Sequence, residues 1–132
     1  MTGYLAEYSI KGISMQKDRT TTVEELKAKV RKFVHDRAWE KYHNPKDLAE
    51  SICIEAAELL ELFQWITPDE ALSCKDVPSK VRRIEEELAD ILIYSLGMAN
   101  TMKIDVTKIV TGKLERNRIK YPVEKYRGKA HL

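Results

Sequence analysis

A chain of 132 residues with 43% apolar content is long enough for a single hydrophobic core and too apolar for disorder. Its charged fraction of 33% suits long solvated helical faces, while a net charge of only +2 argues against a nucleic-acid or anionic-membrane partner. No apolar run reaches the roughly 18 residues of a membrane span, and Cys53 and Cys74 form neither a CxxC nor a metal-ligand spacing, which fits reduced thiols in the cytoplasm.

Residues 1–21 keep neither helical nor alternating periodicity and read as an irregular arm, suited to pairing with another subunit. They contain no continuous apolar stretch of the kind a signal peptide needs. Thr22 followed by Glu25 is a capping box, and it opens a helix with Val23, Leu26, Val30, Phe33, Val34 and Ala38 on one face. That helix is predicted to run to about Tyr42. On its phase Trp39 points away from the inner face, which predicts a second contact surface there, such as another protomer.

Asn44-Pro45 then gives an N-cap with proline at the first helical position. The helix that follows, LAESICIEAAELLELFQW, places Leu48, Ile52, Ala56, Leu59, Leu62 and Phe63 on one arc and is expected to stop near Ile66. Glu50 and Glu61 fall outside that arc. Glu55 lies near its middle and Glu58 at its edge. Thr67-Pro68 repeats the cap-then-proline signature and predicts a short helix to Ser73.

A further long helix is predicted from about Ser79 to Lys103, with Val81, Ile84, Leu88, Ile91, Ser95 and Met98 on its inner stripe. Beyond Leu88 it is apolar nearly all round, as a helix packed on several sides should be. Glu87 and Asp90 lie on the margin of that stripe, with Tyr94 one turn on. Asp105 caps the last long helix, Val106 to Lys120, whose inner face carries Val106, Ile109, Val110 and Leu114 before turning polar at Lys113, Asn117 and Lys120. Residues 122–132 read as a basic, extended tail. The fold expected is all-α, of four-helix-bundle type and oligomeric, with the helical catalytic domain over residues 22–121.

Two helices thus each carry a pair of acids three residues apart, turned inward. One Glu-x-x-Glu on a helix is ordinarily solvated charge. Two pairs on core-facing arcs need either raised pKa values or cations between them. Oxygen-only ligands select hard ions, Mg²⁺ foremost where phosphates complete the sphere. Di-iron sites need Glu-x-x-His on two helices, and no histidine stands at that spacing. Lys113, Asn117 and Arg116 or Arg118 are donors suited to phosphate oxygens, and Trp39, Trp65, Tyr42, His43 and Tyr94 offer aromatic surface for a nucleobase.

The stretches FVHDRAWEKYHNPKDLAESICIEAAELLELFQW, EELADILIY and KLERNRIKYPVEKYRGKA resemble the MazG-like all-α nucleotide pyrophosphohydrolases, and within them the dCTP pyrophosphatase branch. The resemblance covers about Glu24 to Ala130. It implies that Glu55, Glu58, Glu87 and Asp90 are Mg²⁺ ligands. It also implies base and sugar contacts from Trp39, Trp65 and Tyr94, phosphate contacts from Lys113 and Asn117, and an active site completed in a homodimer or homotetramer.

The activity expected is Mg²⁺-dependent hydrolysis of a deoxynucleoside triphosphate, dCTP or a modified dCTP, to monophosphate and pyrophosphate. Glu55 or Glu58 would handle the attacking water, and Lys113 with a neighbouring arginine, Arg116 or Arg118, would meet charge on the pyrophosphate. Two alternatives stay open. One is the same scaffold acting on dUTP, an oxidised nucleotide or phosphoribosyl-ATP; the other is a non-catalytic helical oligomeric binding module.

Overall fold

A computed structural model describes residues 16–130 of the chain, so the expected N-terminal arm lies outside the described residues but for a turn at 18–20. The described residues contain helices and turns and no strand. The start signals read from the sequence are formed. Thr22 Oγ1 accepts from the Glu25 amide at 3.1 Å while the Glu25 carboxylate accepts from the Thr22 amide, opening α1, Val23–His35. Asn44 Oδ1 accepts from the Asp47 amide at 3.0 Å, and α2, Pro45–Glu61, begins on its proline. Thr67 and Glu70 form a second capping box ahead of α3, Pro68–Ser73. The long helix α4, Pro78–Thr101, and α5, Val106–Lys120 with Asp105 as its cap, match the predicted spans closely. The expected extended tail instead holds one more turn of helix, α6, Val123–Tyr126, where the Tyr126 ring meets Tyr121 edge-on at 5.3 Å.

Both long helices that end near the core do so by the same device. After α1 the Trp39 amide donates to Val34 O at 3.1 Å and the Ala38 amide to His35 O at 2.9 Å, with Ala38 left-handed at φ 51. After α4 the Ile104 amide donates to Ala99 O at 2.8 Å and the Lys103 amide to Asn100 O at 3.3 Å, with Lys103 at φ 55. These are Schellman pairs of bonds, which return two orphan carbonyls to the chain. Neither left-handed position is a glycine.

The core is an antiparallel pairing of α2 with α4, crossed by α1 on the α4 side. Leu48 is 2% exposed, and Val30, Val34, Cys74 and Ala99 are the other buried apolar residues. Polar ties fix α1 to the end of α4. Asn100 donates to Lys27 O at 2.9 Å and accepts from Arg31 at 2.7 Å, and Lys27 Nζ reaches Ile104 O at 2.9 Å. The outer faces are a different matter. Leu88, Leu92 and Ile93 on α4 are exposed, and α5 has no buried residue, with Ile109, Val110, Leu114 and Ile119 all open to solvent. Among the described residues α4 packs on both α1 and α2, as its sequence predicts, and leaves Leu88, Leu92 and Ile93 uncovered on its remaining side.

Candidate active site

Antiparallel packing sets Glu55 and Glu58 of α2 opposite Glu87 of α4, and ligand oxygens of the three lie within 4.8 Å of one another. Glu55 and Glu87 are half-buried, Glu58 is exposed, and Glu87 Oε2 is buried without a hydrogen-bond partner. Removal from water, then the charges of Glu58 and Asp90, pushes the Glu55 carboxyl above the usual carboxylate range. Glu87 is raised for the same leading reason, followed by the charge of Glu58. No cation of the chain neutralises the group among the described ion pairs. Self-repelling oxygens at this spacing, one of them buried and unpaired, could hold a divalent metal ion.

Asp90, one turn beyond Glu87, belongs both to this electrostatic group and to the wall of a cavity of about 940 Å³ between α1, α2 and α4. Phe33, Trp39, Tyr42, His43 and Tyr94 give that cavity aromatic walls. Trp39 is where sequence reasoning needs correction. It does not point away from the bundle, because α1 ends at His35 and the left-handed turn at Ala38 brings the indole back against Phe33, ring centroids 5.9 Å apart and edge-on. Arg37 braces this pair from outside, its guanidinium 3.6 Å over the Phe33 ring while donating to Phe33 O at 3.0 Å. Phe33 is thus a cavity wall as much as a core residue. Ser51 and Lys29 also line the cavity and were not foreseen; a polar residue one turn before Glu55 on the inner arc was the available signal for Ser51.

Of the predicted substrate contacts, Trp39 and Tyr94 meet Asp90 in the cavity, and four others do not join them. Trp65 follows the end of α2 and is 88% exposed. Lys113, Asn117 and Arg118 stand on α5, none of them lines the cavity, and Arg118 is engaged with Glu115 at 2.6 Å. Among the described residues, helix α5 packs extensively on no other helix.

The sequence profile of the MazG-like family matches residues 50–130. The dCTP pyrophosphatase 1 of Bos taurus is 36% identical over 109 residues, which are 83% of this chain and 64% of that protein. That of Homo sapiens is 35% identical over 101 residues, 76% of this chain and 59% of that one. The chain therefore spans less than two thirds of the length of these relatives. A crystal structure of a pyrophosphatase from Archaeoglobus fulgidus is 45% identical with a TM-score of 0.69, covering 75% of this chain and 91% of that one.

Proposed function

The chain belongs to the MazG-like family, and from that premise we propose that it is a Mg²⁺-dependent nucleotide pyrophosphohydrolase. It converts a deoxynucleoside triphosphate, dCTP or a modified dCTP, to the monophosphate and pyrophosphate. The observation that carries this reading is the meeting of Glu55, Glu58 and Glu87 at the Asp90 side of an aromatic-walled cavity. An all-oxygen acidic set with a buried unpaired oxygen fits Mg²⁺, with Glu55, Glu58, Glu87 and Asp90 as the residues to hold it. When bound, Mg²⁺ supplies countercharge for the triphosphate.

The chain's own groups do the rest. Trp39 and Tyr94 hold the base by their ring faces, which orients the sugar and the α-phosphate towards the acids. Glu55 or Glu58 takes a proton from the water that attacks the α-phosphorus. As that P–O bond forms, the bond from the α-phosphorus to the α,β-bridging oxygen breaks, and pyrophosphate leaves with the electron pair.

Lys113, Asn117 and Arg118 belong to this scheme as phosphate contacts given by a second copy of the chain. In support, α5 has an apolar flank that stays exposed among the described residues, with Ile109, Val110, Leu114 and Ile119 on it, and α4 exposes Leu88, Leu92 and Ile93. Exposed apolar side chains grouped on helix faces are what an interface between copies would cover. The working form is a homodimer or a homotetramer, in the cytoplasm, where the free thiols Cys53 and Cys74 stay reduced.

Pyrophosphate release from dCTP, with and without Mg²⁺, tests the reading. Release that depends on Mg²⁺ and is lost in Glu58→Gln supports it; no release from any nucleoside triphosphate would overturn it.

A further inference from the structure

A hydroxyl on a helix commonly turns back to the carbonyl four residues before it. Ser73 Oγ donates in this way to Asp69 O at 3.0 Å, Ser95 Oγ to Ile91 O at 2.7 Å and Thr111 Oγ1 to Thr107 O at 2.7 Å. Thr101, at the end of α4, donates instead to His43 O at 2.9 Å. Ser51 departs from this pattern. It stands inside α2 with the Asp47 carbonyl four residues back in the same helix, yet its hydroxyl makes no hydrogen bond to any described residue. Half-buried, it lines the cavity that it shares with Asp90 and Tyr94. Its donor and its acceptor are therefore both open to whatever fills that space.

The place of Ser51 along α2 says what would meet it. Leu48, one turn before, packs on α4 at Gly97, its Cδ2 3.6 Å from where a Cβ there would stand. Glu55, one turn after, belongs to the acidic group. Ser51 is thus about 6 Å from Glu55 along the helix axis, the separation of a nucleotide's sugar from its α-phosphate. A deoxynucleoside triphosphate with its α-phosphate at the acids and its base on Trp39 and Tyr94 brings its sugar to this level. That sugar has one hydroxyl, on C3′. The other polar groups of the wall are less suited to it. Lys29 is exposed on α1, Tyr42 is 56% exposed with Lys41 against its ring, and Asp90 belongs to the acidic group.

We infer that Ser51 is a specificity-determining residue that hydrogen-bonds the 3′-hydroxyl of the nucleotide's sugar. A serine hydroxyl can donate to that oxygen or accept from it, and no main-chain carbonyl competes for it in α2. The inference rests on the pyrophosphohydrolase reading and adds to it a residue that tells a 3′-hydroxyl from a 3′-hydrogen.

The test is kcat/KM for dCTP and for its 2′,3′-dideoxy analogue, measured with Mg²⁺ on wild type and Ser51→Ala, with thermal melts of both proteins. If another deoxynucleotide is the better substrate, it and its own dideoxy analogue take their place. Alanine is the best helix former and removes only the hydroxyl, so α2 is kept. Wild type is expected to favour the 3′-hydroxyl by about three- to tenfold, the worth of one neutral hydrogen bond. In Ser51→Ala the value for dCTP should fall by that factor while the value for the dideoxy analogue stays near wild type. Such non-additivity is the mark of two groups in direct contact. Equal losses on both nucleotides would mean a structural role and overturn the inference. A wild type indifferent to the 3′-hydroxyl, or a Ser51→Ala enzyme with wild-type values on both, overturns it as well. Wild-type protein inert towards every nucleotide overturns the pyrophosphohydrolase reading, and this inference with it.

Discussion

Glu87 of α4 faces Glu58 of α2 across the main helix pairing, with Glu87 Oε2 buried and unpartnered. The fold therefore holds the Glu87 proton more tightly than the unfolded chain does, whose carboxyl titrates near the ordinary 4.5. Below that pH both states are protonated and the site costs nothing. As pH rises through the raised folded value, ionisation is resisted and stability is lost. In chelator at neutral pH, Glu87→Gln is expected to be more stable than wild type, and the difference should vanish near about pH 4. Urea titrations at the two pH values measure it. Equal stability of the two proteins at neutral pH would show that the cluster is not strained.

Among the acids of α2 and α4, position on the helix should decide the catalytic effect. Glu58→Ala or Asp90→Ala removes a member of the convergent group and is expected to abolish pyrophosphate release while the far-ultraviolet circular dichroism stays helical. Glu61 is exposed and outside the group, so Glu61→Ala is expected to keep near wild-type turnover. A dead Glu61→Ala enzyme would place the functional carboxylates on the wrong face of α2.

Much of this site was legible because helix phase survives folding. The paired acids, the caps of α1, α2, α3 and α5, and the span of α5 follow from period and capping chemistry, which are local properties. Trp39 was not legible. Its direction depends on a left-handed residue at Ala38, and alanine carries none of the signal that a glycine there would. The uncovered faces of α4 and α5 were not legible for another reason. Period says which side of a helix is apolar, and it is silent on whether the covering surface belongs to the same chain.

Ala38 invites a stability measurement. A left-handed alanine is disfavoured by about 1–2 kcal/mol, whereas glycine adopts φ 51 freely and gives back part of the gain through its larger unfolded-state entropy. Ala38→Gly is expected to stabilise the protein by about 0.5–1 kcal/mol, since the 5→2 and 6→1 bonds of the turn are main-chain bonds and are kept. Lys103→Gly, in the matching turn after α4, should do the same. Chemical denaturation of both variants checks this; a loss of stability in each would mean that the turns are not strained at these residues.

Separation of the basic helix from the acids within one chain makes a complementation experiment decisive. Glu58→Ala removes an acid and Lys113→Ala removes a phosphate contact, and each variant alone is expected to be impaired, the first fully. If α5 of one copy serves the acids of its neighbour, a mixed dimer has one site with both defects and one with neither. Random exchange makes half of the dimers mixed, so a denatured and refolded equimolar mixture should recover about a quarter of wild-type activity, as closed two-fold symmetry requires. Activity no higher than the mean of the two separate variants would mean that Lys113 acts on its own chain's site or on none. In that case the exposed flank of α5, with Ile109, Val110 and Leu114, would need another partner than the neighbour's active site.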